Sequence, residues 1–190
     1  MSNSCALSQN TQAYINQFQD ILHTMIEQMS AVELSESLSG SFIEQMIPHH
    51  RAAIDMSENL LRYTSNIPLQ NIALNIISSQ KESIENMTAA FPACQSFLNT
   101  PQELACYQMN NETILKTMFR EMTCACVDNN IDANFMRQMI PHHRGAVRMS
   151  ENALRYPLCP ELVPLLNAII ASQKRGICEM QRLLRCETCR

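Results

Sequence analysis

The sequence has no tryptophan, only three glycines in 190 residues, and no excess of basic side chains. So few glycines leave little material for the tight turns of a sheet protein, and abundant Leu, Ile, Met, Gln, Glu and Asn favour helix. Fourteen Lys and Arg stand against 18 Asp and Glu, a net charge of −4. That balance gives no electrostatic footprint for nucleic acid and no basic face for an anionic membrane surface. No apolar run reaches the roughly 20 residues that a membrane span requires. The opening MSNSCALSQNTQ has neither a basic stretch nor an apolar core. No export signal is therefore read, and a cytoplasmic location is expected, or an extracytoplasmic one if the chain has been trimmed. His-Glu-x-x-His, a nucleophile elbow and a phosphate-binding glycine loop are all missing, so catalysis is not expected.

What the chain has in quantity is methionine and cysteine, 13 and nine residues, in a composition that is 46% apolar. An odd number of cysteines leaves at least one thiol unpaired within a monomer. Two segments dominate the rest. FIEQMIPHHRAAIDMSENLLRY (42–63) and FMRQMIPHHRGAVRMSENALRY (135–156) are identical at 16 of 22 positions without a gap. The same offset of 93 residues pairs Tyr14 with Tyr107, Met25 and Met29 with Met118 and Met122, Ser79-Gln80-Lys81 with Ser172-Gln173-Lys174, and Met87 with Met180. An unbroken register of this length marks a duplicated unit, 1–97 and 98–190.

Each unit reads as three helices. The first covers about 9–31, with Tyr14, Phe18, Ile21, Met25, Met29 and Val32 on one apolar stripe. Its counterpart opens on Thr100-Pro101-Gln102-Glu103, a capping box with proline at the first helical position. Ser41 and Glu44 suggest another capping box for the second helix, whose seam runs Phe42, Met46, His49, Ala53, Met56, Leu60 and Tyr63. Pro48 either bends this helix or starts it, and the continuous stripe favours a bend. The third helix covers about 69–91. Its face of Leu69, Ile72, Ala73, Ile76, Ile77, Gln80, Ile84 and Met87 is interrupted by one amide, and Gln173 repeats the interruption. A buried amide needs a partner, and an imidazole nitrogen is one candidate. Two copies predict an all-α antiparallel bundle with an internal pseudo-twofold. The His-His and Gln helices form a four-helix core, flanked by the first helix of each unit.

The pseudo-twofold would bring together His49, His50, Met46 and Met56 with His142, His143, Met139 and Met149. Imidazole and thioether donors are neutral and borderline to soft, a set suited to Cu(I) and Ag(I). Met46 lies three and four residues before the two histidines, on one helix face. Met25, Met29, Met87, Met118, Met122 and Met180 are placed to add sulfur, and Gln80 and Gln173 to support the site. The alternative is that these methionines simply fill the core, as methionine commonly does. His23 is matched by Lys116 and is left out of the site. Glu-x-x-His pairs of a ferritin-type di-iron centre do not occur near these histidines. Cys124 and Cys126 in a CxC, with Cys186 and Cys189 in a CxxC, form a separate group. Disulfides or plain thiols are expected there, with a four-thiolate zinc site or Cu(I) as the other reading.

The motif Met-Ile-Pro-His-His-x-x-Ala-x-x-Met, with Ser-Gln-Lys and a further Met downstream, resembles the bacterial domain-of-unknown-function family three-zero-five. The resemblance covers both units. It implies a ferritin-like helical bundle and, from copper-binding members linked to copper and silver tolerance, the residues Met46, His49, His50, Met56, Met139, His142, His143 and Met149 as metal ligands. The family often carries an acidic residue after the Gln, where this chain has Ser83 and Gly176. The expected function is a non-enzymatic copper-binding protein for buffering, storage or tolerance. A metal-free structural or interaction bundle and a metal-dependent redox enzyme are the alternatives.

Overall fold

Helix starts are written in short polar side chains. Ser8, Asn66 and Asn130 each accept the backbone N–H three residues on, and Thr100 and Glu103 close the expected capping box. A computed structural model describes residues 6–188, with side chains to Arg185, and contains six helices among them. They are α1 (Gln9–Ser30), α2 (Leu38–Leu61), α3 (Ile67–Gln95), α4 (Pro101–Thr123), α5 (Ile131–Ala153) and α6 (Leu162–Thr188).

Three local expectations need correction. The N-cap of α2 is Ser37, not Ser41: its side chain accepts the N–H of Gly40, while the Ser41 hydroxyl donates to the Ser37 carbonyl at 2.9 Å. Serines at both 37 and 41 allow the earlier cap, and α5 starts at the equivalent residue, Ile131. As a result α2 passes through Pro48 and does not begin there. Helix α3 runs beyond 91 and through Pro92, because its last turn is buried at Cys94, whose carbonyl accepts the Ser37 hydroxyl at 2.6 Å. Val32 falls past the end of α1 and is half-buried.

The apolar stripes decide the packing. Tyr14, Phe18, Ile21, Met25 and Met29 of α1 are buried, as are Phe42, Met46, His49, Ala53, Met56 and Leu60 of α2. Helix α2 packs on α3 and α5 on α6. Contacts between α2 and α5, and between α3 and α6, join the repeats into one antiparallel four-helix core. Helices α1 and α4 flank it, against α2 and α5 respectively. Among the described residues no helix is long and apolar enough to cross a membrane.

Symmetry extends to individual contacts. Asn59 donates to the Tyr14 carbonyl at 3.0 Å, and Asn152 to that of Tyr107 at 3.3 Å. Tyr14 meets Tyr63 edge to face with centroids 6.0 Å apart, and Tyr107 meets Tyr156 at the same distance. One polar pair breaks the pattern. The Tyr14 hydroxyl donates to Gln138 at 3.1 Å, but the equivalent Gln45 accepts from Asn111 at 2.7 Å. Asn111 stands where the first repeat has Phe18, and the buried Tyr107 hydroxyl is left without a partner. Removing a hydroxyl that satisfies a buried amide is costly, whereas removing an unpaired one is not. Tyr14→Phe is therefore expected to lower stability by about 1 kcal/mol. Tyr107→Phe is expected to leave stability unchanged or raised. Urea unfolding of the two variants beside the parent checks the difference.

Candidate metal centre

The site begins with two histidines per helix at the middle of the bundle. His49 and His142 lie on the inner seams of α2 and α5, which meet across the pseudo-twofold. Their rings stack with centroids 3.7 Å apart and planes 27° from parallel. The Nε2–H of His49 donates to the His142 carbonyl at 3.2 Å, and that of His142 to the His49 carbonyl at 3.1 Å. A carbonyl only accepts, so each ring carries its proton on Nε2 and a bare lone pair on Nδ1. His50 and His143 lie one position on, with centroids 5.9 Å from their neighbours. All four rings are at most 2% exposed.

The second pair of histidines is not symmetric. His50 Nε2 is 3.1 Å from the Ser83 hydroxyl. Gly176 stands at the equivalent position of α6, and the His143 ring lies directly over it. A β-carbon there would come within 2.9 Å of His143 Cδ2 and 3.0 Å of Nε2. The position at which the two repeats differ, Ser83 against Gly176, is thus a point of contact with the histidines.

What remains unsatisfied defines the chemistry. The Nδ1 atoms of all four histidines, and Oε1 of Gln80 and Gln173, are buried without a hydrogen-bond partner. Buried polar atoms are nearly always paired, so six orphaned atoms in one core ask for partners. Nδ1 of His49 and His142, with the two amide oxygens, are acceptors that a donor or a cation would satisfy. The expected bond between the glutamines and the imidazoles is not made. Ser83, one turn beyond Gln80, takes the His50 ring, and backbone carbonyls take His49 and His142.

The same core is rich in sulfur. Met46, Met56, Met139 and Met149 are buried, as are Met25, Met29, Met87, Met118, Met122 and Met180, all in one core cluster. Gly145 leaves the space that Met118 fills, since a β-carbon there would overlap its sulfur. Among the described residues no three His, Cys, Asp or Glu side chains converge on a point. A carboxylate-rich or zinc-type centre is therefore not built there. The donor set that fits is one or two imidazoles completed by thioethers, the set that favours Cu(I) and Ag(I).

The thiols lie elsewhere. Cys124 and Cys126 are exposed and free, and Cys186 and Cys189 lie outside the described side chains. His23 forms an exposed pair with Glu27 at 3.1 Å. Sequence spacing gives no hint of Cys94 and Cys159, which are both buried and lie near each other. Cys159 donates to Glu161 at 2.8 Å, and burial, with Cys159 beside it, pushes the Cys94 thiol up to about 12. Ser83 stands out in the sequence as the counterpart of Gly176, but its bond to His50 does not.

Burial keeps all four imidazoles neutral. It lowers His50 to about 3 and His142 to about 4 and holds His49 and His143 below the ordinary histidine value, with neighbouring imidazoles adding to the effect at His49, His50 and His143 and the carbonyl bond opposing it at His142. In the unfolded chain these groups titrate near 6.5, so as pH falls the unfolded state takes up protons first. Stability is full above about pH 7 and declines below it. His50 alone accounts for a loss of about 2 kcal/mol at pH 5. Urea midpoints of metal-free protein at pH 7 and pH 5 are expected to show the decline, with a smaller one in His50→Asn. A pH-independent midpoint contradicts it.

Comparison with known proteins follows the same lines. Residues 8–91 and 39–184 match the model of the Domain of unknown function (DUF305) family. The structure of CopM in an Ag-bound form obtained by soaking aligns with a TM-score of 0.59 and 30% identity, covering 80% of this chain and 97% of that one. CopM in the Cu(II)-bound form aligns with a TM-score of 0.57 and 30% identity over 77% of this chain and 95% of that one. A DUF305 fragment from Deinococcus radiodurans aligns with a TM-score of 0.54 and 25% identity over 77% and 94% of the two chains. No curated protein matches the chain. A duplicated His-His-Met helix, repeated on both sides of one four-helix core and matched by the family model from end to end of the bundle, makes this chain a member of the DUF305 family.

Proposed function

We propose that this protein is a non-enzymatic binder of soft metal ions, holding copper as Cu(I), or silver, for buffering, storage or tolerance. The observation that carries the reading is the set of four buried Nδ1 atoms without hydrogen-bond partners, those of His49 and His142 being bare lone pairs, inside a core rich in thioether sulfur. Similarity to CopM, solved with silver and with Cu(II), supports it. His49, His50, His142 and His143 are the nitrogen ligands in this reading, with Met46, Met56, Met139 and Met149 supplying sulfur. Neutral ligands suit a monovalent ion in a poorly hydrated core, because no second buried charge is created. The stacked pair gives the chain a rigid central nitrogen cluster, and the outer histidines, His50 and His143, lie on either side of it.

One observation favours a second reading. His49 and His142 already use Nε2 to clamp α2 to α5, as a purely structural pair would. The two readings part on metal uptake. Reduced, metal-free protein is titrated with Cu(I) against a competing chelator, beside a variant with all four histidines changed to Leu and its fold checked by circular dichroism. Leucine retains bulk and removes the unpaired nitrogens, so this variant is expected to fold. Tight uptake by the parent, weakened at least about a hundredfold in the variant, a difference of about 2.8 kcal/mol, supports the binder. Equal uptake by both moves the ion to the cysteines. No uptake by either leaves the structural clamp.

A further inference from the structure

The four imidazoles are at most 2% exposed, so an ion bound to them must first pass the helices that cover them. One opening reaches a histidine. A cleft of about 330 Å³ runs between α3 and α6 and is lined by His50. Ala168 and Ala171, both exposed, are at its mouth, and Gln80 and Gln173, each 2% exposed, line it deeper in. The clefts beside Pro48 and Pro141 reach no histidine.

The walls of this cleft are chemically specific. Gln80 and Gln173 are equivalent residues of the two repeats, each the one amide on an otherwise apolar face, and Oε1 of each is buried without a partner. A carbonyl oxygen has only lone pairs to offer, so this pair is complementary to a cation and not to an anion. At the inner end, Ser83 holds His50 through Nε2, and Nδ1 of the same ring is buried without a partner. Amide oxygen is a hard donor, whereas imidazole is borderline and thioether soft. A soft ion is therefore held weakly at the glutamines and more firmly further in.

We propose that the α3–α6 cleft is the route by which the metal ion reaches the buried histidines, with the amide oxygens of Gln80 and Gln173 as its first protein ligands. The proposal rests on the soft-metal reading given above. It accounts for two features that reading leaves unused: the paired glutamines that bond to no imidazole, and the small side chains at the mouth over His50.

The test is kinetic. Reduced, metal-free full chain is mixed with Cu(I) carried by a coloured chelator, and loss of the chelator complex is followed by stopped flow where the rate is first order in protein. Ala168→Phe/Ala171→Phe narrows the mouth at exposed helix positions. Gln80→Leu/Gln173→Leu removes the amide oxygens while keeping side-chain bulk. Ala105→Phe, exposed on α4, is the control. Both cleft variants are expected to take up Cu(I) at least about tenfold more slowly than the parent, the Ala168→Phe/Ala171→Phe variant with the same final stoichiometry, and the control at the parental rate. The unchanged endpoint shows that the site itself and the fold survive. Parental rates in either cleft variant, with uptake intact, overturn the route and leave the metal reading standing. Absence of uptake by the parent overturns the metal reading, and the route with it.

Discussion

Two neutral imidazoles, stacked 3.7 Å apart, hold the centre of this protein. Each clamps the other helix through a carbonyl, and the arrangement works only while both rings are uncharged. A proton on either would place a charge against a like partner in a medium that cannot solvate it. The close approach depends in turn on small neighbours. Ala53 and Ala146 lie one turn beyond the rings and are fully buried, and Gly145 and Ala52 leave room for the flanking helices. The four-helix core assembles about this contact, and the contact itself leaves the Nδ1 lone pairs of His49 and His142 without hydrogen-bond partners.

Duplication gives the frame, and departures from it give the two halves different chemistry. Ser83 holds one outer histidine by a hydroxyl, while Gly176 lets the other lie against the backbone. Phe18 in one repeat becomes Asn111 in the other, which reassigns a glutamine and isolates a tyrosine hydroxyl. Such changes alter who bonds to whom without moving a helix, because the apolar stripes fixing the helix packing are common to both repeats. The surroundings of the two histidine pairs are thus unequal although their rings are related by the same pseudo-axis.

Methionine fits both demands made on this core. Its unbranched side chain fills the irregular space left between stacked rings and small residues, and its sulfur is a neutral soft donor. Cysteine is distributed differently. Cys94 and Cys159 join the end of α3 to the connection before α6, away from the histidines and outside the duplicated pattern. Burial raises the Cys94 thiol, which favours its protonated form.

The sequence by itself determined the helices, the repeat and the identity of the buried stripe, because these follow from local rules. Spacings of three and four place Tyr14, Phe18 and Met25 on one face, and a polar residue before an apolar run caps a helix whatever lies beyond it. It also singled out His49, His50, His142 and His143, since two adjacent histidines on a duplicated seam have no local reason to be there. Boundaries failed where two local signals competed, as at Ser37 and Ser41. Only the tertiary structure decided the partners. That His49 bonds to a carbonyl 93 residues away, that Ser83 and not Gln80 reaches His50, and that Cys94 meets Cys159 are consequences of helices crossing at particular heights. A side-chain pattern along one helix fixes which face is buried, but not the offset at which another helix meets it, and that offset decides which atoms are left with bare lone pairs.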